Sequence, residues 1–218
     1  GSGDYPVGQL RRGSIGGLLK YVTVDPSTDA FSGQVSVGST HVHYGDDLGH
    51  SVRGSVNIPL GDTLALRLSG FTVNDPGYID NPQAGKRDTN DRDATGGRLV
   101  MLWQPAETTS VKFGAIVQES NRNGMAEIDR SLGTDPKRSF RPGTGIYDRE
   151  TQLYSLTVKS SLGPVEFVSA TGYGTEESTS VLDVTSLFTP GFANSAFPGT
   201  SDIVTSATIE DEKLTQEF

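Results

Sequence analysis

The feature that most constrains this chain is an alternation of apolar and polar residues with a period of two. Between Tyr154 and Lys159, for example, Tyr154, Leu156 and Val158 alternate with polar side chains. Successive side chains of a β-strand point to opposite faces of the sheet, whereas helical periodicity is almost absent from the sequence. The chain is therefore predicted to be all-β, built from strands that have one apolar and one polar face.

The alternation predicts seven strands and the beginning of an eighth. They cover residues 30–44, 50–60, 64–74, 95–104, 109–119, 150–161 and 164–176, with the eighth starting near Lys213. The charged residues in the middle of these strands all fall on the polar side: Arg53, Arg67, Arg98, Lys112, Lys159 and Glu166. A register shift of one residue would turn each of them to the apolar face, so the pattern specifies one register.

The connections between the predicted strands alternate between short and long. Short turns lie around Gly61-Asp62, at Pro105-Ala106-Glu107-Thr108 and around Leu162-Gly163. Long polar segments cover residues 75–94, 120–149 and 177–212, and the first hairpin has a modest link at 45–49. This asymmetry favours an antiparallel meander of the outer-membrane barrel type, which has short periplasmic turns and longer extracellular loops. A soluble sandwich also has two-faced strands, but has no reason to place every long loop at one end.

Aromatic residues agree with this orientation. If the chain enters from the periplasm, Phe31 and Trp103 lie near the inner interface of a bilayer, and Tyr44, Tyr154 and Tyr173 lie near the outer one. Aromatic girdles at both interfaces are typical of membrane barrels. The alternative is that aromatic residues simply favour strands.

Composition excludes several classes of protein. The 27 acidic and 18 basic residues give a net charge of −9, which argues against a general nucleic-acid binder. No run of about 18 apolar residues is present, so a membrane-spanning helix is excluded, whereas a barrel strand needs only about 10 residues. Cysteine is absent, which excludes disulfides and thiolate chemistry. Because the chain starts at Gly1-Ser2-Gly3 without a signal peptide, we expect a mature piece or an excised fragment.

A glycine-rich segment near the N-terminus provides a resemblance to a known family. The stretch from Arg12 to Pro26, RGSIGGLLKYVTVDP, resembles the end of the plug domain of TonB-dependent outer-membrane receptors, where a Gly-Gly pair leads into a short strand ending in Thr and Pro. Phe31-Ser32-Gly33 would then begin the first barrel strand, and the run from Leu214 to Phe218 resembles a later one. The segments Gly77-Tyr78-Ile79-Asp80-Asn81 and Tyr147-Asp148 lie where such receptors carry extracellular loops.

The resemblance implies a domain organisation and a function. Residues 1–28 would be the C-terminal end of the plug domain with its linker, and residues 29–218 the N-terminal portion of the transmembrane β-barrel. Seven or eight strands of a wall of about 22 would be present, so the sheet is expected to be open. The implied function is active uptake of a scarce solute, foremost a ferric siderophore, across the outer membrane of a Gram-negative cell, without covalent chemistry or a cofactor. The implied partners are outer-membrane lipid, the solute, and the TonB complex, which would act through a region that precedes this chain.

Four basic residues on the polar side of the strands are the candidate ligand-binding residues: Arg53, Arg67, Arg98 and Lys112. In a barrel they line the inner wall, where an excess of positive charge favours an anionic solute. The alternative is that these side chains pair with acidic residues of the plug. The acidic residues in or beside 177–212 are interpreted as a solvated loop surface: Glu176, Glu177, Asp183, Asp202, Glu210 and Asp211.

Two further groups of residues fall short of a metal-site pattern. His41 and His43 share one side of a predicted strand, but a complete site needs three or four ligands. The run from Asp88 to Asp93 alternates carboxylate and amide oxygens, but the Gly and closing Glu of an EF-hand loop are not in register. We therefore expect no metal site and no catalytic residues.

Two other classes of function remain as alternatives. The first is a soluble all-β binding or adhesion module, which would stay monomeric in water without detergent. The second is a carbohydrate-active enzyme, which would need a pair of carboxylates converging in a cleft, with Glu166 as one candidate.

Overall fold

Eight strands make up most of the computed structural model, which describes residues 23–188 and 191–218. They are β1 (Ser32–His41), β2 (Leu48–Pro59), β3 (Leu64–Asp75), β4 (Arg92–Ala106), β5 (Thr109–Arg122), β6 (Ile146–Leu162), β7 (Val165–Asp183) and β8 (Val204–Glu217). Each strand pairs antiparallel with the next one in the sequence, giving the order β1-β2-β3-β4-β5-β6-β7-β8. The predicted all-β class and antiparallel meander are confirmed.

Within residues 23–188 and 191–218, helical structure lies only in the connections between strands. A five-residue helix, α1 (Phe192–Ala196), and two single 3-10 turns, Arg130–Leu132 and Thr185–Leu187, lie there. Within the described ranges, no helix has the length and apolar character needed to cross a membrane.

Tight turns join the strands at one end of the sheet, and longer connections join them at the other. At the tight end, Gly61 (φ 128°) and Gly163 (φ 68°) hold left-handed backbone conformations, which glycine adopts without steric cost. Residues 42–47, 76–91, 123–145 and 184–203 form the connections at the opposite end. The asymmetry predicted from the sequence is therefore present in the fold.

The strand registers place the apolar and polar sets on opposite faces of the sheet. Directly paired residues on antiparallel strands point to the same face, and one such row consists of Ile58, Leu66, Met101, Phe113 and Leu156. We call the face that carries this row the apolar face. The other, polar face carries all six charged residues predicted for it: Arg53, Arg67, Arg98, Lys112, Lys159 and Glu166.

The apolar zone runs obliquely across the strands. One row of directly paired residues on the apolar face crosses all eight strands and changes from apolar to acidic: Val37, Val52, Thr72, Thr95, Glu119, Glu150, Glu177 and Glu210. At the tight-turn end the apolar residues extend further on β6 and β7 than on β4. Trp103 of β4 shares a row with Val158 of β6, and the pair Leu162 and Val165 lies beyond that row, closer to the turn. The zone therefore moves toward the tight turns from β1 to β7.

Aromatic residues lie in the predicted order along the apolar face. Trp103 is near the tight turns, where it pairs with Leu64. Tyr154 and Tyr173 are directly paired nearer the long connections, with their rings stacked at 6.4 Å. Phe31 and Tyr44 lie just outside the strands, before β1 and after it.

The sheet is a single layer, so few of its side chains are buried. The accessible surface is 15205 Å², whereas a compact monomer of 23.2 kDa has about 9,700 Å². Within residues 23–188 and 191–218, β1 and β8 each pair with one neighbour only, so the sheet is open. Its two edges carry unpaired backbone groups, and its apolar face has no second layer packed against it.

Strands β7 and β8 extend further toward the long connections than the sequence predicts. β7 ends at Asp183 and β8 begins at Val204, so the predicted loop 177–212 shortens to residues 184–203. Beyond the apolar zone most residues of these strands are polar on both faces, as the pairing of Thr179 with Thr208 illustrates. The apolar residues there, such as Val181, Leu182 and Ile209, do not recur with a period of two. The alternation that marks a half-buried strand is therefore missing there. Five of the six acidic residues assigned to a loop surface belong instead to strands: Glu176, Glu177, Asp183, Glu210 and Asp211.

The chain before β1 is described from Thr23 onward. Most of the glycine-rich segment on which the family resemblance depends, from Arg12 to Val22, lies outside the described residues, as does most of the predicted plug portion 1–28.

Candidate functional site

The four candidate basic residues lie on the polar face, one on each of four successive strands, β2 to β5. Arg98 and Lys112 line one pocket together. Arg53 lies in a neighbouring depression of about 410 Å³, which Arg98 also lines. Arg67 donates from Nη2 to the hydroxyl of Ser55 at 3.1 Å. Arg98 thus shares one pocket with Lys112 and the other with Arg53. Arg67 lines neither pocket and bonds to Ser55 on the neighbouring strand.

The irregular segment from Thr23 to Ala30, here called the linker segment, crosses the polar face before β1. Arg98 donates from Nη2 to Oγ1 of Thr23 at 2.7 Å, and from Nη1 to the backbone carbonyl of Val24 at 3.4 Å. The Nζ atom of Lys112 lies 3.1 Å from both carboxylate oxygens of Asp25. Two of the four candidate basic residues therefore contact the segment that precedes the sheet, and one of them, Lys112, contacts a carboxylate there.

Asn57 anchors the other half of the linker segment. This side chain is 2% exposed. Its Nδ2 donates to the carbonyls of Ser27 (2.8 Å) and Ala30 (2.9 Å), and its Oδ1 accepts from the N–H of Ser27 at 2.9 Å. Pro26 is also buried, whereas Thr23, Val24 and Asp25 are exposed. The linker segment therefore has one half, 26–30, that Asn57 and the buried Pro26 anchor. Its exposed half, 23–25, is held by polar contacts with Arg98 and Lys112.

A third base completes the pocket beside the linker segment. Lys213 of β8 lines the same space of about 480 Å³ as Arg98 and Lys112, and we call this space the basic pocket. Arg98 and Lys213 stand at opposite ends of one directly paired row: Arg98, Ile116, Leu153, Gly174 and Lys213. Thr23 lies on the rim of the pocket, and the hydroxyls of Ser155 and Thr215 line its wall.

Glycines keep the floor of the basic pocket open. A Cβ atom on Gly114 would lie 2.8 Å from Oγ of Ser155, and one on Gly172 would lie 2.8 Å from Oγ1 of Thr215. Both distances are shorter than ordinary Cβ contacts, so a side chain at either position would displace its neighbour. Without side chains there, the backbone of β5 and β7 is accessible to a molecule that enters the pocket.

At the long end of the sheet, the four connections 42–47, 76–91, 123–145 and 184–203 pack into a unit that we call the loop cap. Its centre is buried although it lies beyond the sheet, with Ile79, Asn81 and Phe140 at most 5% exposed. The side chain of Asn81 donates from Nδ2 to the carbonyl of Phe140 at 2.9 Å. The backbones of Asp80 and Lys137 form a parallel bridge. The second and third connections are therefore joined by a small core of their own.

Close backbone contacts fix the shape of the loop cap. A Cβ atom on Gly77 would lie 2.0 Å from the carbonyl oxygen of Asp88, so only glycine fits there. Asp88 has a positive φ of 53°, and its Oδ2 accepts from the N–H of Asp46 at 2.9 Å. Arg87 forms an ion pair with Asp46 at 2.7 Å. These contacts attach the first connection to the second.

Asp183, the last residue of β7, attaches the third connection to the fourth. Its carboxylate accepts from the backbone N–H groups of Arg141 at 2.9 Å and Thr185 at 3.0 Å. Burial raises the pKa of Asp183, but the hydrogen bonds from Thr185 and Arg141 outweigh burial and leave the pKa below its usual value. The carboxylate is therefore a charged acceptor at neutral pH.

The weaker constellations do not form sites. His41 is the last residue of β1, and His43 lies beyond the strand, so the expected placing on one strand face does not hold. Asp88 and Asp91 instead accept hydrogen bonds from Asp46 and Asn123. In the part of the chain that the structure describes, no group of three His, Asp or Glu side chains is arranged to hold a metal ion.

Three residues of the site were not among the predicted candidates: Asp25, Asn57 and Lys213. Lys213 belongs to the predicted eighth strand, and its spacing of two from Thr215 signals the shared face. Asp25 is an acidic residue of the region 1–28, in which the sequence predicted carboxylate partners for the basic residues. Nothing in the local sequence distinguishes Asn57 from the other polar residues of β2.

No protein-family model, no curated protein and no solved structure matches this chain.

Proposed function

We propose that this chain is part of a TonB-dependent outer-membrane receptor that takes up a scarce solute, foremost a ferric siderophore. Residues 1–28 are the end of the plug and its linker, and residues 29–218 are about eight strands of the barrel wall. The single observation that carries the proposal is the oblique course of the apolar zone across the eight strands.

The tilt of the strands in a barrel explains why the apolar zone is oblique. Strands of a transmembrane barrel tilt by about 35–45° from the barrel axis, so a lipid-facing band perpendicular to that axis crosses the strands at an angle. A row of directly paired residues then leaves the band as it crosses the wall. The change from Val37 and Val52 to Glu177 and Glu210 along one row has this form.

On β5 the apolar zone extends from Val111 to Val117, which is about 20 Å along the strand. With the strand tilt of a barrel this corresponds to about 15 Å along the membrane normal, so on β5 the zone covers part of the apolar band of about 25 Å that outer-membrane barrels have. Lipid, and neighbouring strands of the wall at both edges, would cover the surfaces that the open sheet leaves bare.

In this function the loop cap faces the outside of the cell and the polar face lines the lumen. The four candidate residues Arg53, Arg67, Arg98 and Lys112 give the wall a positive potential that favours an anionic solute. The linker segment joins the wall to the plug, on which the TonB complex acts. No covalent step is required of any residue.

The only tryptophan of the chain provides a direct test. Trp103 lies on the apolar face and is 46% exposed. We expect a brominated alkyl detergent to quench its fluorescence strongly when the chain is folded in micelles, because the apolar face would contact the alkyl chains.

The matched control moves the indole to the polar face. In the double variant Trp103→Phe/Val168→Trp, the new side chain stands opposite Lys159 on the polar face, and we expect much weaker quenching. Equal quenching of the two proteins, or a chain that stays monomeric in water without detergent, would favour the soluble binding module.

A further inference from the structure

We infer that the basic pocket binds an anionic group, a carboxylate or a phosphate, in competition with Asp25, and that occupancy of the pocket releases the exposed half of the linker segment. This inference rests on the proposed function for its setting, a lumen through which a solute passes. It goes beyond that function because it identifies one wall pocket and couples it to the linker.

The charge balance of the pocket favours an anion. Arg98, Lys112 and Lys213 provide three cations, and Asp25 is the carboxylate that contacts Lys112. Among the described residues, Lys213 has no carboxylate within 4.0 Å of its ammonium group. The hydroxyls of Ser155 and Thr215 add hydrogen-bonding groups beside these charges. An anionic group therefore meets positive charge that Asp25 alone does not neutralise.

The contact that such a group must displace is weak. The side chains of Lys112 and Asp25 are 38% and 50% exposed, and ion pairs in that environment contribute little because water screens them. A ligand anion that contacts Lys112 and extends toward a second base of the pocket gains electrostatic contacts that the carboxylate of Asp25 does not make. Such a ligand can therefore compete with Asp25 for Lys112.

The division of the linker segment into two halves determines what is released. Residues 26–30 stay attached, because Asn57 holds them by three hydrogen bonds in a buried site. Among the described residues, the side-chain hydrogen bonds of Thr23 and Asp25 are to Arg98 and Lys112, which the anion would engage. Because coupling between two binding events is reciprocal, release of the exposed half must in turn increase the affinity for the anion.

The absence of cysteine allows a single spin label at Val24→Cys, a position that is 64% exposed. The full chain is folded in detergent micelles and titrated with inorganic phosphate, with sodium chloride of equal ionic strength as the reference. We expect phosphate, but not chloride, to increase the mobile fraction of the label in electron paramagnetic resonance spectra.

Two acidic residues of the linker segment provide matched variants. Asp25→Asn should leave the label mobile without phosphate and should bind phosphate about 2- to 5-fold more tightly in calorimetry, the range expected for an exposed ion pair. Asp29→Asn should behave like the parent, because Asp29 accepts from Ser27 within the segment at 2.6 Å. Lys213→Gln should weaken phosphate binding while the label stays immobile in the absence of phosphate.

Three results would overturn the inference: no phosphate binding, phosphate binding without a change in the label, or equal affinities of Asp25→Asn and Asp29→Asn. These readouts are independent of detergent quenching at Trp103. A result against anion binding in the basic pocket is therefore distinguishable from a result against the proposed membrane function.

Discussion

Asn57 shows how a single buried amide can position a whole segment of this chain. A side-chain amide has both donors and an acceptor, so it can satisfy backbone groups of an irregular segment that no strand pairs with. Here it serves Ser27 and Ala30 at once. The linker segment consequently meets the polar face at a fixed place, next to Arg98 and Lys112.

We expect Asn57→Ala to lower the free energy of unfolding by about 1–3 kcal/mol, because backbone groups of the linker segment would lose their partners in a buried site. Urea titration in micelles, followed by circular dichroism, measures this change. Asn121→Ala is the control, since Asn121 is exposed and contacts Glu119 on its own strand. Equal effects of the two substitutions would show that Asn57 does not anchor the segment.

The pKa of Asp183 gives a prediction about acid. Because its pKa in the folded state is below the unfolded value, the carboxylate contributes stability that is present above the unfolded pKa of about 3.9 and is lost as the pH falls through the folded value. We expect the amide of Arg141 to lose protection from hydrogen exchange in that acidic window. Asp183→Asn should remove the pH dependence of this protection, and an unchanged profile would contradict the assignment.

For single residues, the sequence predicted which face of the sheet a side chain occupies, but not which residue that side chain contacts. Alternation was enough to place Arg53, Arg67, Arg98 and Lys112 on one face, because side-chain direction in a strand is a local property. That Lys112 contacts Asp25 depends on the path of a segment 87 residues away in the sequence, which no local pattern encodes.

At the scale of elements, the loop cap differs from the sheet that carries it. The strands bury few side chains, such as Asn57 and Val100, and no second layer of the described residues covers them, whereas the cap has a small core of Ile79, Asn81 and Phe140 and backbone contacts that require glycine. It is a fixed structure rather than a set of independent loops, and in the proposed function such a preorganised surface would suit recognition of a solute.

We expect Gly77→Ala to disrupt the cap, because its Cβ would lie 2.0 Å from a backbone oxygen that no side-chain rotation can move. Limited proteolysis between residues 76 and 91 should become at least about tenfold faster, corresponding to about 1.4 kcal/mol of lost local stability. Gly97→Ala is the control, since its Cβ would lie 3.7 Å from its nearest neighbour. Similar cleavage of both variants would contradict the role of Gly77.

Element boundaries were predictable only where one face is apolar. The ends of β3 and β5 near the tight turns agree with the alternation, because apolar residues continue to the turn. β7 and β8 continue past the apolar zone, where backbone pairing and polar contacts such as Thr179–Thr208 maintain the strands and hydropathy shows no alternation.

At the scale of the whole molecule, the open sheet with a bare apolar face is the property that any function must accommodate. Contiguous exposed apolar surface of this kind marks a partner or a membrane. The oblique zone favours the membrane, because it matches the tilt of strands in a barrel wall.

We expect Leu156→Arg and Glu150→Arg, which lie on the same face of β6, to have different effects in bilayers formed with the complete barrel. Arginine at Leu156, inside the apolar zone, should cost about 2–4 kcal/mol of folding free energy. Arginine at Glu150, above the zone, should cost about 0–1 kcal/mol. Urea-dependent folding into vesicles measures both, and equal costs would contradict a lipid-facing zone.

The strand class, the two faces and the order of short and long connections were predictable from the amino-acid sequence, because these follow from local alternation and turn residues. The slope of the apolar zone, the packing of the loop cap and the contacts of the linker segment became visible in the folded chain alone. Each of these depends on which residues become neighbours across strands, and that is set by the registers of many strands together rather than by any one stretch of chain.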